Sequence, residues 1–356
     1  MTKFSARLLC LLCLLSPIAS SAQNIDTTKG LKDYYRKYFP IGVAVSPGSI
    51  KNPAETALIL KHFNSLTPEN AMKMGAIHPE QNRYNWLNAD AIVNFAQEHH
   101  LLVRGHNLCW HEQTPKWFFY DKAGMLVSKD TLLQRLKDHI YTVVKHYKGK
   151  VYAWDVVNEA VSTNKDEFLR NSLWYQICGE DFIFKAFQYA HEADPKAVLF
   201  YNDYGTEQPA KREKVYQLLK KLIDAHIPVD AVGLQAHWSI NDPTEKELTE
   251  TIERFSSLGL KIQITELDMS IYSSKNNPAD ANGYTTAIAE KQSQQYAMAF
   301  NIFRKYKDVI TGVTFWNVSD RSSWLNNFPV KGRDNYPLLF DRKLHPKPPY
   351  NQVVNF

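Results

Sequence analysis

The sequence predicts an α/β chain folded as a single-domain (β/α)8 barrel of the TIM type, and three observations carry that prediction. Eight short apolar, β-branched stretches recur along the chain, segments with helical spacing lie between them, and no Pro/Gly/Ser-rich linker or internal repeat divides the region. Alternation of this kind calls for crossover helices and a parallel sheet, and eight units fit a closed barrel better than an open doubly wound sheet. No glycine-rich dinucleotide fingerprint follows any strand, which also weighs against the open sheet. At 356 residues, 44% apolar and 13% aromatic, the chain has ample material for a large core.

The N-terminus comes first and is set apart from the barrel. Lys3 and Arg7 precede the apolar run Leu8 to Leu15, and small residues lead to Ser20, Ser21 and Ala22. This is the charged, apolar and small-residue order of a secretory signal, and the apolar run is too short to span a bilayer. Residues 1–22 are therefore expected to be cleaved near Ala22, leaving 23–356 as the barrel of a secreted or periplasmic protein. Lipid anchoring at Cys13 is the competing reading, disfavoured because Leu11 and Leu12 precede it where small residues are usual. Loss of Lys3 and Arg7 lowers the formal charge of +5 by two. The remaining excess is spread without a basic block, so neither nucleic acid nor a membrane is an expected partner. Cys10 and Cys13 leave with the signal, and Cys109 and Cys178 are expected to be buried free thiols.

The strands then follow in order. The first is read at Ile41–Val45 and the second at Ser65–Thr67, with Glu69 and Asn70 after it. A helix over Ala89–His99 leads to the third strand, Leu102–Gly105, which delivers His106 and Trp110. A helix over Thr131–Tyr147 leads to the fourth, Ala153–Val157, which delivers Asn158 and Glu159. A helix over Asp181–Glu192 leads to the fifth, Val198–Asn202, with Asn202 and Asp203 at its end. A helix over Glu207–Ala225 leads to the sixth, Ala231–Gln235, bringing Gln235 and His237. A helix over Thr244–Leu258 leads to the seventh, Lys261–Thr265, with Glu266 and Asp268. A helix over Ala287–Tyr306 leads to the eighth, Ile310–Phe315, followed by Trp316. A barrel gathers the C-terminal ends of its strands into one rim, so seven consecutive strands send polar or aromatic groups to a common face.

Two of those groups carry the chemistry. Glu159 closes the run WDVVNE and Glu266 lies inside QITELD, each after a buried-strand pattern. Glycoside hydrolysis needs such a pair: one carboxylic acid protonates the leaving oxygen while the other attacks the sugar carbon or activates a water. A strand-end glutamate that is merely solvated or ion-paired is the ordinary alternative, and it is the neighbouring residues that argue against it here.

Those neighbours resemble a known family. TPEN (67–70), GHNLCWH (105–111), WDVVNE (154–159), LQAHW (234–238), ITELD (264–268) and TFWNVSD (314–320) are similar to the strand-end motifs of family 10 glycoside hydrolases. These are mostly endo-β-1,4-xylanases on a (β/α)8 barrel, and the match runs from about Ile41 to the PLLFD and HPKPPY segments. The resemblance implies Glu159 as general acid/base and Glu266 as nucleophile, with net retention through a covalent glycosyl-enzyme. Glu159 must then stay protonated near neutral pH, its pKa raised by burial and by the charge of Glu266. Asn158 is expected to bond the sugar 2-hydroxyl. His237 and Asp268 would hold the nucleophile ionised and oriented, and Gln235 would reach one of the two glutamates. Glu69, Asn70, Lys73 and His106 resemble the family's contacts to sugar hydroxyls on the glycone side. Trp110, Trp316 and Trp324 offer flat faces to pyranose rings, with their indole N–H groups free to find acceptors. The implied partner is xylan or a xylo-oligosaccharide, handled by a monomer with no metal or organic cofactor.

Other chemistries fit less well. His106, His111 and Glu112 do not form the helical H-E-x-x-H pattern of a zinc site, since Pro115 breaks the helix that pattern needs. No G-x-S-x-G elbow is present for serine-hydrolase chemistry. Asn317-Val318-Ser319 spells a glycosylation sequon and is read as unmodified. Asn107 and Cys109 stand where threonine and valine are common in the family, Asn317 where glycine is frequent, and Arg321, Ser322 and Ser323 make an unusual path to Trp324. Two readings stay open beside the xylanase: another β-1,4-glycanase, acting on glucan or short xylo-oligosaccharides, and a non-catalytic glycan-binding barrel.

Overall fold

Among the described residues, nine parallel strands close on themselves: β1 (Ile41–Val45), β2 (Ser65–Pro68), β3 (Leu102–Trp110), β4 (Ala153–Asn158), β5 (Val198–Asp203), β6 (Ala231–Leu234), β7 (His237–Ser239), β8 (Lys261–Ser270) and β9 (Ile310–Phe315). The sheet runs from β6 through β5, β4, β3, β2 and β1 to β9 and β8, and β6 pairs with β8 to complete the ring. This computed structural model describes residues 26–272 and 283–356, so the secretory signal read in residues 1–22 lies outside the described residues.

Nine strands make only eight staves. Ala236, at φ 62, bends the chain between β6 and β7, and both strands pair with β8, Leu234 opposite Ile264 and His237 opposite Asp268. The closed eight-stave barrel is the predicted fold. Two strands run well beyond the ends expected from the sequence, while β2, β4 and β5 each gain a single residue. β8 continues to Ser270 because β7 supplies it with a partner, so Glu266 sits within a strand whose register against β9 shifts between Ile264 and Leu267. β3 reaches Trp110 with a register shift against β4 between His106 and Cys109.

The outer layer comprises α1 (Leu31–Tyr35), α2 (Pro53–His62), α3 (Met74–Ile77), α4 (Leu87–Glu98), α5 (Lys129–His146), α6 (Leu173–Cys178), α7 (Asp181–Ala193), α8 (Pro209–Asp224), α9 (Glu245–Ser256), α10 (Thr286–Lys305) and α11 (Pro348–Val354). The six predicted helices correspond to α4, α5, α7, α8, α9 and α10, with ends displaced by at most two residues. α5 shows why such segments are helical: Leu132, Leu133, Leu136, Ile140, Val143 and Val144 are buried at helical spacing, and Ser128 caps the first turn by accepting from the Thr131 N–H. At α9, Thr244 and Glu247 form a reciprocal capping box, each cap contributing about 1 kcal/mol. α2 had escaped the sequence reading although its start was legible, since Asn52 caps Ala54 and Glu55 and Pro53 occupies the first helical position.

Strands buried on both faces leave little room inside the ring, and two glycines mark where backbone and side chain nearly touch. A Cβ on Gly105 would overlap the buried indole of Trp154, and one on Gly233 would overlap the side-chain oxygen of Asn202. Replacing Gly105 with alanine therefore forces Trp154 or β3 to move. We expect Gly105→Ala to lower unfolding stability by about 3 kcal/mol in a denaturant titration; an unchanged midpoint and slope would contradict the close packing.

Candidate active site

Glu159 is the residue after β4 and adopts φ 58, a conformation that costs a non-glycine residue about 1–3 kcal/mol. Its backbone N–H donates to the carbonyl of Asn202 at 2.9 Å. Two donors hold the carboxyl: Trp110 Nε1 to Oε2 at 2.9 Å and Gln235 Nε2 to Oε1 at 2.8 Å. Burial pushes the pKa of Glu159 up, the charge of Asp203 adds to this, and Glu266 contributes less; the two hydrogen bonds only partly offset the rise. The expected elevation is present, but Asp203 and not Glu266 is the leading charge behind it.

Glu266 has the opposite balance. It is 4% exposed, and burial alone would raise its pKa, yet the imidazoles of His106 and His237 reverse the sign and hold it below the ordinary glutamate value. Its Oε1 accepts from Asn202 Nδ2 at 2.8 Å, and its Oε2 lies 3.0 Å from His237 Nε2. The other ring nitrogen of His237 is 3.0 Å from Asp268 Oδ2. Burial favours the neutral ring, but Asp268 and then Glu266 outweigh it and raise the pKa of His237 to about 10. His237 is thus an imidazolium donating from both nitrogens, and Asp268 holds that charge in place.

A chain of amides joins the two glutamates. Gln235 Nε2 reaches Asn158 Oδ1 at 3.3 Å as well as Glu159, and Asn202 Nδ2 donates to the same Asn158 oxygen at 2.8 Å as well as to Glu266. Thr265 Oγ1 fixes the amide of Asn202 by donating to its Oδ1 at 2.7 Å. Both bonds to Asn158 use its oxygen, which leaves its amino group to donate to a sugar hydroxyl.

The remaining predicted residues surround this line. Lys73 is 7% exposed, donates to Asn70 Oδ1 at 2.9 Å, and stands 5.0 Å from the Trp110 ring. Burial pulls its pKa down while the carboxylates of Glu266, Glu69 and Glu159 oppose the fall. Asn70 itself is exposed and Glu69 half-buried, with the pKa of Glu69 raised by burial against the pull of Lys73. His106 is buried, 2.9 Å from Asp155 Oδ2 and 3.9 Å from Glu266 Oε1. Trp316 sets its ring edge-on to His106 at 5.3 Å and to His237 at 6.1 Å. Trp324, in a single 3-10 turn after β9, donates its indole N–H to Asp268 Oδ2 at 2.8 Å.

Several contributors had no role assigned from the sequence. Asn202 and Asp203 were placed on the rim by the strand pattern, but nothing local says that one bridges the glutamates and the other charges the environment of Glu159. Asp203 is held by Tyr201 Oη at 2.6 Å and Lys211 Nζ at 2.6 Å. Arg104 and Asp155 form a buried pair at 2.6 Å beneath His106. Cys109 and Cys178 are free and buried.

An eight-stave parallel barrel whose rim carries one glutamate biased toward its acid and one held as carboxylate is the framework of a glycoside hydrolase. Comparison with known proteins gives the family. The model of glycosyl hydrolase family 10 matches residues 30–356. A Beta-1,4-xylanase of Dictyoglomus thermophilum is 52% identical over 326 residues, covering 92% of this chain and 90% of that one. An Endo-1,4-beta-xylanase of Geobacillus stearothermophilus is 48% identical over 325 residues, covering 91% and 98%. Among solved structures, xylanase XynB from Paenibacillus barcinonensis complexed with a conduramine derivative superposes with a TM-score of 0.90 at 44% identity, over 93% of this chain and 99% of that one. The chain belongs to glycosyl hydrolase family 10.

The two influences on Glu159 can be separated by the pH at which it loses its proton. Trp110→Phe removes a donor that favours the carboxylate, so the alkaline limb of kcat/KM should move to higher pH. Asp203→Asn removes a charge that opposes the carboxylate, so the same limb should move to lower pH. Shifts of the same sign in a pH–rate profile would refute this account.

Proposed function

We propose that this protein is a retaining endo-β-1,4-xylanase that cleaves internal β-1,4 bonds of xylan, with Glu159 as acid/base and Glu266 as nucleophile. The observation that carries the proposal is the opposite titration of two rim glutamates joined through Gln235, Asn158 and Asn202. The relatives at 52% and 48% identity, each named as a xylanase, support xylan as the substrate.

In the first step the Glu266 carboxylate attacks the anomeric carbon while Glu159 gives its proton to the departing glycosidic oxygen. The imidazolium of His237 keeps Glu266 ionised beforehand, and the Asn158 amino group can bond the 2-hydroxyl as oxocarbenium character grows. Esterification removes the charge of Glu266, so one influence raising the pKa of Glu159 disappears. Glu159 is then better able to take a proton from water, which attacks the glycosyl ester and restores both groups. The influence of Asp203 on Glu159 does not depend on that esterification, so part of the elevation remains in the glycosyl-enzyme. Trp316 and Trp324, anchored beside His237, would crowd the hydroxymethyl arm of a hexose, which favours a pentose chain.

The basic, apolar and small-residue order of residues 1–22 supports export with cleavage near Ala22. The mature protein should begin at Gln23 by intact mass; a retained leader or a lipid-modified Cys13 would overturn this.

Product analysis on xylan and carboxymethylcellulose tests the activity. Wild type should release short xylo-oligosaccharides of retained anomeric configuration from xylan and much less from the glucan. Glu266→Ala should abolish turnover on every substrate. Glu159→Ala should lose about 10²-fold or more on xylan, but far less in the first step on an aryl xylobioside whose leaving group needs no proton. Xylan binding without release of product would sink the proposal.

A further inference from the structure

The left-handed backbone of Glu159, φ 58, is costly for a residue with a side chain and persists only where its surroundings enforce it. Its N–H is held by the Asn202 carbonyl at 2.9 Å. Its own carbonyl accepts from Arg170 Nε at 3.1 Å, and the next carbonyl, that of Ala160, accepts the backbone N–H of Arg170 at 2.8 Å. One residue thus supplies donors to two successive carbonyls, and the peptides on either side of Ala160 are fixed by it.

The chain folds back on itself to make this contact. Beyond Ala160 it leaves the rim and returns, Val161 bridging antiparallel to Leu169 and the Ser162 N–H donating to the Phe168 carbonyl at 3.1 Å. Residues 163–167 are exposed at the tip of this excursion, whereas Arg170 is partly buried. The far edge of its guanidinium is also held, since Nη2 donates to Tyr204 Oη at 3.0 Å. Tyr204 is itself anchored: its N–H donates to Asp203 Oδ1 at 2.9 Å, and Lys211 Nζ stands 3.7 Å from its ring centroid. Arg170 therefore joins the residue after β4 to the residue after β5.

We propose that Arg170 is a positioning residue for proton transfer: its guanidinium locks the backbone of Glu159 against Tyr204, so that the carboxyl stays where it meets the departing glycosidic oxygen. Trp110 and Gln235 hold Glu159 too, but both of their bonds end on the carboxyl. Without Arg170 the Glu159 carbonyl loses its donor, the peptide can turn toward a less costly conformation, and the side chain swings with it. A displacement of about 1 Å at a reacting group is enough to lose about 10²-fold in rate. Bond cleavage that needs no proton is affected less, because Glu266 is held by Asn202 and His237 instead. The inference rests on the acid/base role proposed for Glu159, and the experiment separates the two.

Arg170→Met keeps the apolar stem and removes both donors, whereas Arg170→Lys keeps the charge without the fork that serves two acceptors at once. Tyr204→Phe leaves Arg170 in place and removes one of its acceptors. For these variants, wild type and Glu159→Ala, kcat/KM should be measured on xylan and on aryl xylobiosides with leaving groups from phenol to dinitrophenol, with thermal midpoints to confirm folding. Arg170→Met should lose about 10-fold to 10²-fold on xylan and the phenyl glycoside but less than about threefold on the dinitrophenyl glycoside, a steeper leaving-group dependence than wild type. Arg170→Lys and Tyr204→Phe should show the same pattern to a smaller degree, and they carry the comparison should Arg170→Met not fold. No loss, or an equal fractional loss on every leaving group while Glu159→Ala stays steep, would overturn the proposal and leave Arg170 a support of its loop alone. A Glu159→Ala variant without leaving-group dependence would instead sink the acid role of Glu159, and this proposal with it.

Discussion

Asn202 is the constraint on which the site depends. Its carbonyl accepts the N–H of Glu159, its amide nitrogen donates to Asn158 and to Glu266, and its amide oxygen is pinned by Thr265. A single buried side chain on β5 thereby sets the height of β4 against β8 and the orientation of both glutamates. The amide has no freedom to rotate, because flipping it would set its oxygen against the Glu266 carboxylate and its amino group against the Thr265 donor. Gly233 belongs to the same arrangement, since any larger residue there would displace Asn202.

Around this fixed geometry, charge divides the labour. Both glutamates are desolvated, which by itself pushes the pKa of both upward. What separates them is the sign of the nearest neighbours: an imidazolium and a second imidazole beside Glu266, the carboxylate of Asp203 beside Glu159. The imidazolium of His237 is itself held by the buried Asp268, and His106 lies against Asp155, which pairs with Arg104. Each charge in the chain fixes the state of the next, so a neutral substitution far from the sugar is felt at the reacting carboxyls.

The tryptophans of the rim are tethered as well as flat. Trp110 donates to Glu159 and Trp324 to Asp268, so two of the three aromatic plates are bolted to the charge network that runs the reaction. Burial of an indole leaves its N–H needing an acceptor, and here the acceptors are carboxyl groups of the site itself. Trp110 is thereby tied to the acid and Trp324 to the aspartate that holds His237.

Most of the barrel was legible because its signals are local. Apolar β-branched runs, helical spacing and the phase of polar residues at strand ends each lie within a dozen residues, and they located eight staves, six helices and the two glutamates. The same logic missed α2, whose short length hid a clear Asn52-Pro53 start, and it ended β8 before Glu266 because the partner that prolongs the strand, β7, is set by the bend at Ala236. Beyond such elements, the sequence by itself determined which chemical groups reach the rim. Only the tertiary structure decided how they pair: Asn202 with Glu266 across 64 residues, Gln235 with Glu159 across 76, and Asp203 as the charge behind the acid. The reason is physical, since local pattern records which face a residue presents, whereas the distance between two presented groups is set by closure of the ring.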